Sequence, residues 1–132
     1  MRLLLDTHFV IWLATNQAAI RPSEWRALND SSNHVVASTI SIWEVRVKWN
    51  ALHASGGRKG ALDPLLATSY LGSIGMEIIA LDTDTAAAPL IISIAHKDPF
   101  DELLLVQAQQ SGARLLTRDR TLLSHPLAYQ PL

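Results

Sequence analysis

The sequence predicts an α/β domain built on a mainly parallel sheet buried on both faces. Three observations carry this. Short apolar runs recur along the chain: RLLL at 2–5, HVVAS at 34–38, MEIIAL at 76–81, ARLLT at 113–117 and LAYQ at 127–130. Segments of helical pattern separate them. The runs also lack the apolar–polar alternation of a sheet with one wet face, so helices should cover both sides.

The elements follow in order. The run 2–5 is a buried strand, and Asp6-Thr7 opens a helix through about Ala14. A second helix runs from Ser23 to about Asp30. After the strand 34–38 comes a helix over roughly 41–51. The stretch 53-HASGGRKGALDP-64 reads as a mobile loop within the domain. Pro64 starts a helix to about Ser73, and 76–81 is a strand. Asp82 to His96 has a helical pattern, with Pro89 inside it as a breaking point. Asp98-Pro99 is a helix start, with an acceptor side chain at the N-cap and proline at the first helical position. That helix ends near Gly112, a good residue just past a helix end. The strand 113–117, a helical turn from Asp119 and a last short strand complete the chain.

Composition narrows the function. The 132 residues suit one domain, spanning 1–132, with a proper core. With 48% hydrophobic and 17% charged residues the chain should fold. A net charge of −1 excludes a broad basic face for nucleic acid, so any such contact is local. The absence of cysteine excludes disulfides and thiolate zinc sites and fits a reducing, cytoplasmic location. The opening MRLLLDTHFVIWLA is interrupted by Asp6 and His8 and is followed by no small-residue cleavage site, so it is not read as a signal peptide. Nothing approaches the apolar length of a membrane span, so no membrane partner is expected. There is no Gly-rich phosphate loop and no G-x-S-x-G motif.

The acids carry the functional signal. Asp6 follows the first strand, Asp119 follows the strand 113–117 by one residue, and Glu44 and Asp101 begin helices. Strand ends and the helix starts after them share one edge of a parallel sheet, where ligands collect. Each acid also has an ordinary reading. Asp6 caps a helix, Ser41-x-x-Glu44 fits a capping box, and Glu44 precedes Lys48 by one helical turn. Asp101 complements a helix dipole, and Asp119 caps the turn 120–123. Two features weigh against reading all four this way. Glu44 shares a stripe with Ile40, Val47 and Ala51, and Asp101 shares one with Leu104, Leu105 and Ala108, so both acids head faces expected to be buried. Two carboxylates about 6 Å apart at an effective dielectric near 20 repel by roughly 3 kcal/mol. Acids that meet must therefore hold protons or a cation, and oxygen ligands favour Mg²⁺ or Mn²⁺. His8 and His96 fall near this edge but read more simply as helix-surface residues. Of the four tryptophans (Trp12, Trp25, Trp43, Trp49), most should be core or half-buried.

The stretches 3-LLLDTHFVIWL-13, 38-STISIWEVRVK-48, 96-HKDPFDELLLVQAQ-109 and 115-LLTRD-119 together resemble a PIN domain of the VapC-type toxin group of toxin–antitoxin pairs. They come in the family's order and span nearly the whole chain. The resemblance implies a three-layer α/β/α sandwich of about five strands and an Mg²⁺- or Mn²⁺-dependent ribonuclease. It further implies an RNA substrate, a cognate antitoxin protein and a homodimer. By motif, the catalytic acids would be Asp6, Glu44, Asp101 and Asp119, with Asp6 and Asp101 as the main metal ligands. Thr7, Asp98 and Thr117 would support these carboxylates. Lys48, Arg118 and Arg120 are candidate phosphate contacts, against an ordinary reading as solvated charge. Glu102 departs from the basic residue frequent at its position in relatives, and the Gly-rich 53–64 stretch departs from their shorter connection. Both departures bear on substrate preference. Two other classes compete: a PIN-like RNA-binding or assembly module without catalysis, and a receiver-type phosphoacceptor domain. The receiver reading would want a second acid beside Asp6, where Thr7 stands, and a lysine after the last strand, where Arg118 stands.

Overall fold

A computed structural model describes residues 1–54, 56, 60–95 and 98–132, with only the backbone described at 52–54. The strands β1 (Arg2–Leu5), β2 (His34–Ser38), β3 (Glu77–Ile79), β4 (Arg114–Leu116) and β5 (Ala128–Tyr129) form one sheet in the order β3-β2-β1-β4-β5. Every neighbouring pair is parallel. The order reverses between β1 and β4, where Leu5 lies opposite Leu116.

The apolar runs explain the layers. Leu4, Val36 and Leu115 point to one face and pack with Leu104, Leu105 and Ala108 of α6 (Pro99–Ser111). Their strand neighbours Leu5, Ala37 and Leu116 point to the other face. They pack there with Phe9, Val10 and Leu13 of α1 (Thr7–Thr15) and Leu71 of α4 (Pro64–Ser73). The sheet is therefore sandwiched between helical layers, and runs buried on both faces need no alternation.

The helix from Pro99 forms as expected. Asp98 accepts from the N–H groups of Phe100 at 2.9 Å and Asp101 at 3.4 Å. Gly112 ends the helix at φ 66°, the left-handed conformation glycine adopts at little cost. The helix α2 (Pro22–Asn29) also sits close to its expected place.

Three expectations need correction. The helix expected over Asp82–His96 is only α5 (Thr83–Ala87). Ala88 precedes Pro89 and is extended (φ −72°, ψ 139°), because proline disfavours helical backbone in the residue before it. Gln109 then holds the following segment on α6, with Nε2 donating to Pro89 O and Oε1 accepting from Ile91 N–H, both at 2.9 Å. Second, α3 spans Thr39–Ala54 and starts directly after β2. The hydroxyl of Ser38 accepts from Ile40 N–H at 2.9 Å, so Ser38 serves this helix start and Ser41–Glu44 is not its capping box. Third, the expected stripe on α3 is buried only in its first half. Ile40 and Glu44 are buried, but Val47 is 39% exposed, because α4 covers the side that carries Val45 and packs it with Leu62 and Ala67.

The loop expectation over 53–64 falls partly on residues 55 and 57–59, outside the described residues. Its end folds back on α3. A Cβ at Gly60 would stand 2.9 Å from Trp49 Cα, so only glycine fits this approach without a shift. Among the described residues no helix is long and apolar enough to cross a membrane.

Candidate active site

Asp6 takes its place from the sheet. Its N–H donates to Leu116 O at 3.0 Å, extending the β1–β4 ladder by one residue, and its side chain caps α1 at His8 N–H, 3.4 Å away. Thr117, the residue after β4, donates its hydroxyl to Asp6 Oδ2 at 2.6 Å. The same hydroxyl accepts from Asp119 N–H at 3.0 Å. One buried threonine thus ties the ends of both strands together at the switch point. Asp119 then uses Oδ1 to accept from Thr121, at 2.9 Å from the N–H and 2.7 Å from the hydroxyl.

Glu44 reaches the same edge from α3. The Thr7 hydroxyl donates to its Oε1 at 2.7 Å and also lies 3.0 Å from the Ser41 hydroxyl. Lys48 Nζ, one turn further on, donates to Oε2 at 2.6 Å. The ion pair expected from spacing is therefore present, but its carboxylate is 4% exposed and its partner on the other side is Thr7. Burial opposes the charge of Lys48. Glu44, with Asp98 and Asp101 behind it, outweighs this and raises the ammonium above its ordinary value.

The other acids act on Asp101 through their charge. Burial pushes the Asp101 carboxyl up, the charges of Asp98, Asp6, Asp119 and Glu44 add to it, and it reaches about 7. Asp6 goes the other way. Burial opposes its charge too, but hydrogen bonds from His8 and Thr117 hold it below the ordinary value. The His8 imidazole, with Nδ1 3.7 Å from Asp6 Oδ1, is raised mainly by that contact. His96 lies outside the described residues.

The basic candidates divide. Lys48 stands at the acids. Arg118 is committed to Glu24, with Nε donating to Oε1 and Nη2 to Oε2, each at 2.7 Å, and Nη2 also donating to Ala19 O. Its guanidinium lies over the Trp12 ring, 4.2 Å from the centroid. This arrangement makes Arg118 a structural cation before it is a phosphate contact. Arg120 is exposed on the turn after β4.

Sequence reasoning missed Glu24. It is 1% exposed and reads in the sequence as an ordinary first-turn helix acid, while its partner is 94 residues away. It also missed Gln107, whose side chain bonds the Ser38 hydroxyl and donates to Ala80 O at 3.1 Å, fixing α6 against the ends of β2 and β3. The glutamine was visible only as a polar residue on an otherwise apolar helix face.

The donor set suits a hard cation by chemistry, since it is all oxygen and one member resists ionising alone. Among the described residues, no three Asp, Glu or His side chains are grouped to hold a metal ion by themselves.

The chain is an α/β domain whose parallel sheet reverses order between β1 and β4, the edge at which Thr117 links Asp6 and Asp119. Residues 3–126 match the PIN domain family, and the chain belongs to it. No curated protein matches the sequence. Among solved structures, the fold is similar to VapBC2 from Rickettsia felis bound to a DNA fragment from their promoter, at TM-score 0.57 and 18% identity, covering 98% of this chain and 97% of that one. It is also similar to a toxin–antitoxin complex from Klebsiella pneumoniae, at TM-score 0.59 and 20% identity, covering 98% of each chain.

Proposed function

We propose that this chain is a metal-dependent endoribonuclease acting as the toxin of a toxin–antitoxin pair. The observation that carries the reading is geometric: buried Asp6 at the end of β1 and buried Glu44 on the helix after β2 lie at one sheet edge with buried Asp101, whose carboxyl is pushed up by burial and by the neighbouring acids. A fold gains nothing from gathering repelling acids unless something neutralises them. Membership of the PIN family and the fold's likeness to proteins of two toxin–antitoxin complexes support the choice of chemistry and partner.

Asp6 and Asp101 would hold Mg²⁺ or Mn²⁺, with Glu44 and Asp119 completing the site directly or through water. When bound, such an ion supplies Lewis acidity toward water and phosphate oxygens. The chain does the rest. Thr117 aims Asp6, and Thr7 with Lys48 fixes the Glu44 carboxylate at both oxygens. Glu44, held in place in this way, would orient the attacking water. Lys48 offsets part of the negative charge that a phosphate would meet on entering.

The test is expression in a bacterial host. Wild type should arrest growth and deplete a defined set of RNAs, Asp6→Asn should relieve both at equal expression, and a co-expressed antitoxin should restore growth. Arrest that persists with Asp6→Asn would separate toxicity from this site and end the reading. The alternative, a PIN module that binds RNA or assembles without cutting, is favoured by one observation: the acids are not grouped to hold an ion unaided. It predicts RNA binding with no cleavage.

A further inference from the structure

An open depression of about 200 Å³ adjoins the acid cluster, lined by Asp6, His8, Trp12, Arg118 and Asp119. Two of the acids form one end. The other end is aromatic and cationic. His8 and Trp12 stand one helical turn apart on α1, their rings 5.8 Å apart and tilted by 36°. Trp12 is fixed rather than loose, because Phe9 meets it edge-on at 5.1 Å and the Arg118 guanidinium lies over it. Arg118 is itself fixed by its paired bonds to buried Glu24.

From this geometry we infer that the depression is a nucleobase subsite, which seats the base next to the scissile phosphate against the aromatic wall of His8 and Trp12. The inference rests on the ribonuclease reading and gives it a specificity element. A flat ring suits this wall, because aromatic faces stack on any base, while Arg118, held by Glu24 and Ala19, backs the Trp12 ring. The volume is about what half a dozen waters occupy in the liquid, enough for a single heteroaromatic ring system. The depression runs on to Asp6 and Asp119, so a base seated there leaves its phosphate beside the candidate ion site. A cationic side chain from a protein partner, drawn by Asp6 and Asp119, is the other candidate occupant, and the test below separates the two. Stacking alone is tolerant of sequence. Selection among bases therefore falls to His8, the member of the pair that is exposed and able to offer a ring nitrogen to a base edge.

The test reads the Trp12 indole directly. In nitrogen–proton spectra of the protein without divalent ions, the Trp12 indole peak is assigned by its loss in Trp12→Phe, which keeps a ring against Phe9 and Arg118. Titration with the four ribonucleoside monophosphates should move that peak for at least one of them, and ribose 5-phosphate should leave it in place. A second arm uses a cleaved oligoribonucleotide with single bases removed around its cut site. Removing one flanking base should lower kcat/KM about tenfold in wild type, the usual scale of base stacking, and should cost little in Trp12→Leu. Equal shifts with ribose 5-phosphate would overturn the proposal. So would an indole that responds to an arginine-bearing peptide and to no nucleotide, or equal costs of base removal in both proteins. If wild type cut no RNA, the ribonuclease reading would fail, and the indole titration would still decide the subsite.

Discussion

The Thr117 hydroxyl donates to Asp6 Oδ2 at 2.6 Å, joining residues that are 111 positions apart in sequence. Both are buried, Thr117 completely. Hydrogen bonds to charged groups contribute roughly 1.5–3 kcal/mol. Thr117→Val keeps the shape and removes the donor, so urea unfolding should show a loss on that order, and Thr117→Ser should recover most of it. The Asp6 carboxyl should also rise in the valine variant, because the charge it carries loses one of its supports.

The pH dependence of stability follows from opposed shifts. Asp101 is raised from 3.8 to about 7, so the folded protein holds a proton there that the unfolded chain has released. Without metal, its contribution should fall as pH rises from about 4 through 7. His8 has the same slope: its support is complete below 6.5 and fades as pH rises through its raised folded value. Asp6, being lowered, contributes stability above 3.8 that is lost only as pH falls through its folded value. Asp101→Asn should therefore gain on wild type between pH 5 and pH 8 in metal-free melts. A constant difference across that range would mean that Asp101 is not strained by its neighbours.

Arg118 and Glu24 should behave as a buried pair. Arg118→Leu leaves a carboxylate that is 1% exposed without its main partner, and breaking such a pair costs about 3–5 kcal/mol. Replacing both residues with leucine should cost much less than replacing Arg118 alone. A double-mutant cycle by denaturant unfolding measures this, and equal losses in the single and double variants would show that the pair is not coupled.

The partner surface should include α3. Trp43 is 47% exposed, lies edge-on to Phe100 at 5.2 Å, and shares its helix with exposed Val47. Large aromatics that stay exposed next to apolar neighbours are typical binding anchors. Trp43→Ala should weaken antitoxin binding by about 2 kcal/mol or more in calorimetry while leaving the melting temperature nearly unchanged.

Much of the fold was legible because its causes are local. The apolar runs announce strands that are covered on both sides, and Asp98-Pro99 and Gly112 mark both ends of one helix with side-chain and backbone chemistry. The Asp82–His96 helix was misread because the effect of Pro89 reaches back to Ala88, and because the segment is held by Gln109 rather than by its own backbone. At the candidate site, position relative to strand ends pointed to one sheet edge for Asp6, Glu44, Asp101 and Asp119. It did not show what holds them. The links from Thr117 to Asp6, Thr7 to Glu44 and Arg118 to Glu24 join residues far apart in sequence, and no spacing rule connects them.

The central claim is that these acids hold a divalent ion for RNA hydrolysis, and cleavage of single-stranded RNA by purified protein tests it most directly. Wild type should cut with Mn²⁺ or Mg²⁺ and stop with EDTA. Asp101→Asn, shown to be folded by circular dichroism, should lose cleavage by at least a hundredfold, the scale of an essential catalytic group. Cleavage that survives both EDTA and Asp101→Asn would contradict the account.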